Sequence, residues 1–264
     1  MHKLLLVLPI LLLAASCTNN NAAPNANAAS AGANAASTDA TTASPTSATG
    51  DDMYYEYTMA SAGKSFNTTG YSKLYVSASG KLRHEMDMSN PAVRKTPPIV
   101  SIGSVDKPYQ SIFIDDSAKT YSINTIDTST IAGNDPFKMV STVTKVGEDK
   151  IMGFNSVHAR IISTKSMGPL GKMTDTIDLW NSPDVPMAPF LRHFMDNNMS
   201  KSWTSMMTPA AADQLKQMGC TGFMLRMQTG SKDAGVHMEL TKIRKADFPK
   251  SLFEIPAGYK EEKQ

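Results

Sequence analysis

The stretch Arg83-His84-Glu85-Met86-Asp87-Met88 concentrates the side chains best suited to chemistry. A histidine followed by glutamate begins the H-E-x-x-H pattern, in which two histidines one helical turn apart hold zinc and the glutamate acts as base. That pattern needs a histidine at position 88, and Met88 stands there. The charges also fall on every second residue, at Lys81, Arg83, Glu85 and Asp87, with Leu82, His84, Met86 and Met88 between them. This is strand alternation, not a helix. A zinc-protease site fails on both counts. On a strand, His84, Met86 and Met88 share one face, and imidazole with thioether suits Cu(I). The chain has 18 methionines, but they are spread over nearly every segment and form no dense M-x-x-M run. The main expectation for these three residues is therefore a core or cavity wall, with Cu(I) binding as a lesser alternative.

Other reactive groups lack a frame. No G-x-S-x-G elbow and no glycine-rich phosphate loop occurs. After Cys17 the only cysteine is Cys220, so the domain has no internal disulfide, and Cys220 is expected as a small buried hydrophobe. His158 and His237 fall on the polar phase of their strands, and His193 on a polar helix flank. Asp115-Asp116 sits in a turn, where aspartate bonds to its own backbone. We read the chain as a non-enzyme without cofactor or metal. An enzymatic site assembled from distant strands would leave no such local motif and stays as an alternative.

The elements that carry these residues alternate with period two. Tyr55, Tyr57 and Met59 form one such set; Leu74, Val76 and Ala78 form another. The runs around Ile112, Tyr121, Val157, Ile177, Phe223 and Val236 follow. This gives about ten or eleven strands, most with one apolar face, and an antiparallel sheet covered on one side only. Between Trp180 and Cys220 the period becomes helical. Met187, Phe190, Leu191, Phe194, Met195, Asn198 and Met199, apolar but for Asn198, mark a helix starting near Pro186. A second helix opens with Thr208 as N-cap and Pro209 at its first position, and stops at Gly219. Placed before the last hairpin, these two short helices are expected across the concave face. The methionines of the insertion, Met187, Met195, Met199, Met206, Met207 and Met218, cluster with Phe190, Phe194 and Trp203. With His84, Met86 and Met88 they are the candidate lining of a hydrophobic cavity, because methionine adapts to varied apolar partners.

The ends of the chain bound its place. Lys3, the apolar run Leu4 to Leu13, and Ala14-Ala15-Ser16 before Cys17 form a secretory signal. It resembles the signal of bacterial lipoproteins, in which the cysteine becomes the N-terminus and carries acyl chains such as palmitate. Ala14 departs from the usual leucine three residues before the cysteine. The stretch up to Asp52 is rich in Ala, Asn, Ser and Thr and has no aromatic, Leu, Ile or Val. It cannot bury enough apolar area to order itself, and as a flexible tether it would span roughly 30–35 Å. The domain boundaries are thus 1–16 for the signal, 17–52 for the acylated cysteine and tether, and 53–264 for the folded domain. With 26 basic and 24 acidic residues well interspersed, no basic stripe favours nucleic acid.

The order of anchor, meander, helical insertion and final hairpin has family character. So do Val146-Gly147-Glu148-Asp149-Lys150-Ile151-Met152-Gly153 and the ending Phe253-Glu254-Ile255-Pro256-Ala257-Gly258-Tyr259. The chain resembles uncharacterised bacterial lipoprotein domains of the lipoprotein-carrier (Lol-type) half-barrel superfamily over about residues 53–260. The resemblance implies an α+β, mainly antiparallel fold: an incompletely closed barrel whose helices plug an apolar cavity, several members binding acyl chains. The expectation is an outer-membrane lipoprotein facing the periplasm, held by its lipid anchor, that binds a lipid or other hydrophobic ligand. A non-enzymatic structural or sensory interaction module with a closed core is the alternative; the sequence names no protein partner.

Overall fold

The structure, a computed structural model, describes residues 50–63, 66–89, 97–107, 109–125, 139–166, 168, 171–188, 190–192, 208–231 and 234–262. The strands are β1 (Asp52–Gly63), β2 (Phe66–Val76), β3 (Lys81–Ser89), β4 (Ile99–Ser104), β5 (Gln110–Asp115), β6 (Thr120–Thr125), β7 (Val140–Ile151), β8 (Phe154–Ser166), β9 (Lys172–Ser182), β10 (Phe223–Ser231), β11 (Ala234–Ala246) and the two-residue β12 (Lys260–Glu261). Helix α1 covers Pro209–Gln217, and a 3-10 turn covers Lys250–Phe253.

All twelve strands join one sheet in the order β12-β6-β5-β4-β3-β2-β1-β11-β10-β9-β8-β7. Two antiparallel meanders, β1 to β6 and β7 to β11, are fused where β1 pairs with β11. The sheet curves without closing, since β12 and β7 lie at its two ends and do not pair. This is the expected incompletely closed barrel, with one strand beyond the expected count: β12, which alone pairs in parallel, with β6. Register shifts at Glu56/Tyr57, Lys145/Gly147 and Met224/Arg226 are bulges that bend and twist the strands that carry them.

Turn chemistry follows local residue type. At the β5–β6 turn, Asp115 Oδ1 accepts from the Ser117 and Ala118 amides at 2.9 Å each. At the β7–β8 hairpin, Met152 and Gly153 have φ of 52° and 86°. Two successive positive values make the turn whose twist matches paired strands, and only the glycine adopts it without cost. Gly70, in the middle of β2, stands where an added Cβ would lie 1.8 Å from the Asp87 carbonyl oxygen on β3. Only glycine permits that approach.

The main core fills the concave face. Tyr55, Tyr57 and Leu240 from the centre of the sheet, Ile161 and Leu179 from β8 and β9, and Leu191, Ala211 and Leu215 from the helical insertion are all buried in it. Helix α1 forms as its caps dictate: Thr208 Oγ1 accepts from the Ala211 amide at 3.3 Å, and Gly219 ends the helix at φ 77°. The upstream helix differs from expectation. Residues 186–188 are not helical; residues 190–192 are, with the Arg192 amide bonded to the Ala188 carbonyl. The remainder of that segment lies outside the described residues.

Coverage of one face only is corrected. Val100, Ile102 and Ile114 form a second cluster, packed by Ile112, Tyr121, Ile255 and Tyr259. On β4, His84 pairs with Ser101, so Ser101 takes the concave phase and Val100 and Ile102 the convex one. The C-terminal segment covers them as a strap. It starts with Phe248 edge-on to Tyr75 and buries Phe253. The Arg83 guanidinium donates to the Leu252 carbonyl at 3.3 Å. The strap ends with the Tyr259 hydroxyl donating to Asp116 at 2.6 Å and with β12 on the edge of β6. The family-like ending is thus the cover of a second apolar face. Among the described residues no helix is long and apolar enough to cross a membrane, which leaves membrane-crossing strands unaddressed.

Candidate functional site

Strand β3 carries its residues as the alternation requires. Leu82, His84 and Met86 are buried on the concave face, and Met88 is half-buried against the same core. His84 is only 8% exposed, and its Nε2 is hydrogen-bonded to Ser72 Oγ at 2.8 Å. Burial lowers the imidazole from its ordinary 6.5 to about 4, with Glu85 opposing the shift. His84 is therefore neutral near pH 7, a polar group in an apolar wall. Among the described residues no three His, Cys, Asp or Glu side chains gather to hold a metal.

One register row brings methionines from four strands together. Met88 pairs with Gly70, Gly70 with Met59, Met59 with Met238, Met238 with Met227, and Met227 with Leu179. Met59, Met238 and Met227 are buried. Gly70, where the β3 backbone approaches too closely for a side chain, is the one position of the row from Met88 to Met227 without a thioether. Beneath it lies an aromatic layer. Tyr55 stacks on Phe223 at 4.3 Å between centroids and donates to the Pro186 carbonyl at 2.9 Å. Tyr57 donates to the Met224 carbonyl at 2.8 Å. Both hydroxyls are satisfied by backbone, which lets these rings be buried. From the helical side Met187, Phe190 and Met218 are half-buried against the same core.

The structure thus brings His84, Met86, Met88, Met187, Phe190 and Met218 to the walls of one core. Phe194, Met195, Met199, Trp203, Met206 and Met207 lie outside the described residues, as do Cys17 and His193. Met59, Met227 and Met238 were missing from the candidates. Their period-two phase was visible in each strand, but their adjacency depends on long-range pairings. Cys220 is free and fully buried, its thiol pushed up to about 11 by burial, the opposite of an activated nucleophile.

The convex face carries a second concentration of polar groups. His158 stacks on Trp180 at 3.8 Å and bonds through Nε2 to Asp178 at 3.0 Å. Arg160 donates twice to Asp178, at 2.8 and 3.0 Å. The Trp180 indole donates to Asp149 at 2.6 Å. His158 lies on the polar phase as expected, but it is locked in this cluster instead of standing in solvent. Both Asp178 oxygens are occupied, so the cluster ties strands together.

Residues 56–259 match the family described as "Domain of unknown function (DUF4412)". The chain belongs to this family. No curated protein matches it by sequence. Its fold is similar to that of LprF from Mycobacterium bovis, at 12% identity over 76% of this chain and 90% of that one, with a TM-score of 0.32. It is also similar to a LolA superfamily protein from Nitrosomonas europaea, at 6% identity over 78% and 91% of the two chains, TM-score 0.33. A putative outer membrane lipoprotein-sorting protein domain from Vibrio parahaemolyticus is similar at 5% identity over 76% and 88%, TM-score 0.32.

Proposed function

We propose that this family member is a lipid-anchored envelope protein that takes an acyl chain or other hydrophobic ligand between its sheet and its helical insertion. Acylated Cys17 and the tether up to residue 52 would hold it to the outer membrane, facing the periplasm. The observation that carries the proposal is the row Met88, Met59, Met238 and Met227 on the concave face. Thioether chains are unbranched and polarizable, so such a row accepts apolar shapes that leucine or isoleucine would refuse. Met187, Phe190 and Met218, half-buried on the helical side, supply facing groups that are packed but not sealed. Phe194, Met195, Met199, Trp203, Met206 and Met207 are proposed to extend this lining. His84 would be the polar landmark on the wall, and no step of bond making is assigned to it.

Titration of the purified chain with an environment-sensitive fluorescent fatty acid tests the proposal. Saturable binding, displaced by unlabelled fatty acid and abolished by the space-filling Met238→Trp, is expected. Fluorescence that rises without saturation would contradict it. A second reading, an interaction module with a closed core, is favoured by the apolar side chains exposed near the β7 edge. Val140, Val146 and Ile162 are 65%, 49% and 42% exposed. That module would bind no fatty acid.

A further inference from the structure

We infer that the hairpin end of the sheet holds a subsite for an uncharged, hydroxyl-bearing head group. This rests on the reading above, in which the acyl chain lies along the methionine row. A cleft of about 340 Å³ opens among the ends of β1, β2, β10 and β11, within the roughly 300–1,000 Å³ range of ligand sites. Its lining includes Ser61, Thr68, Thr229 and Val236. These four form one register row, with Ser61 paired to both Thr68 and Val236, and Val236 paired to Thr229. Each lies two residues along its strand from Met59, Gly70, Met238 or Met227. Residues two apart on a strand share a face, so this row borders the methionine row directly. The concave face therefore passes from thioether to hydroxyl in a single step.

The charge of the lining sets the class of head group. Ala60, Thr69, Gln228 and His237, which also line the cleft, form the register row between the methionine and hydroxyl rows and take the opposite phase, so the concave side of the cleft offers the hydroxyls of Ser61, Thr68 and Thr229. Among the described lining residues the one ionisable group is His237, whose Nε2 lies 3.3 Å from Glu239. Glu239 is also held by two bonds from Arg226, at 3.0 and 3.1 Å. Among the described lining residues there is no Lys, Arg, Asp or Glu. Nothing there offsets the desolvation of a phosphate or carboxylate. Hydroxyls donate and accept at once, which matches the free hydroxyls of a glycerol or sugar head.

Three fluorescent probes with one common acyl chain separate the possibilities: a monoacylglycerol, the free fatty acid and a lysophosphatidylglycerol, each titrated into the full chain. The monoacylglycerol is expected to bind tightest. The double variant Ser61→Ala/Thr68→Val, which removes two hydroxyls of that row, should weaken it roughly tenfold, about the worth of one to two hydrogen bonds, and leave the fatty acid unchanged. Ser61→Ala alone replaces the double variant if that variant fails to fold. Preference for either anionic probe, or an unchanged monoacylglycerol affinity in the variant, overturns the subsite and leaves acyl-chain binding standing. Failure of all three probes to bind overturns the acyl-chain reading, and the subsite with it.

Discussion

His84 shows how one residue can carry two suggestive motifs and belong to neither. The same burial that suits it to a cavity wall makes its titration visible in stability. Its folded value of about 4 lies below the ordinary 6.5, so between those values the unfolded chain binds the extra proton. Stability is then full above about pH 6.5 and falls as the pH drops toward 4, by about 3 kcal/mol from this group. Thermal melts across that range should show the slope, and His84→Gln, which can keep a bond to Ser72, should flatten it. An unchanged slope in the variant would assign the pH dependence to other groups. Asp178 gives a second expectation. It is buried and accepts from both His158 and Arg160, so Asp178→Ala should cost about 2 kcal/mol in urea denaturation. The more exposed Arg226–Glu239 pair should be worth no more than about 1 kcal/mol.

At the scale of elements, the β7–β8 hairpin places Met152 at φ 52° with its side chain exposed. Met152→Asn should stabilise the fold by about 0.5–1 kcal/mol, since asparagine tolerates that conformation; a lower melting temperature would contradict the turn geometry. Met152 also shows a limit of composition, because this methionine packs no core. What local pattern governs was legible in the sequence. The phase of Leu82, His84 and Met86 followed from the charges between them, and α1 from Thr208, Pro209 and Gly219. The methionine row was not legible, because it depends on Met59 meeting Met238 across the pairing of the first long strand with the last. The second apolar face was missed for a related reason. On the short β4, Val100 and Ile102 point outward while Ile99 and Ser101 share the phase of His84, and six residues give too little alternation to choose between them. The ending Phe253 to Tyr259 was noticed as a family-like tail, but a tail does not reveal which surface it covers. For the proposed site, the shared face of His84, Met86 and Met88 followed from one strand, whereas their neighbours across it required the register of the whole sheet.

At the scale of the whole molecule, the strap and the concave core act on opposite faces of one sheet. Deleting residues 249–264 would uncover Val100, Ile102 and Ile114 and strip β12 from the edge of β6. The shortened chain should bind an apolar-surface dye and self-associate in size-exclusion chromatography, as exposed apolar faces and free strand edges do; a monomer with no dye binding would show that the strap is dispensable. Its fatty-acid binding should survive if the methionine row on the other face is the site. Native mass spectrometry of the purified full chain, with solvent extraction, addresses the central claim most directly. The account predicts a non-covalent lipid adduct that extraction removes and that Met238→Trp abolishes. A bare protein mass, with no extractable lipid and none taken up on incubation with fatty acid, would contradict it.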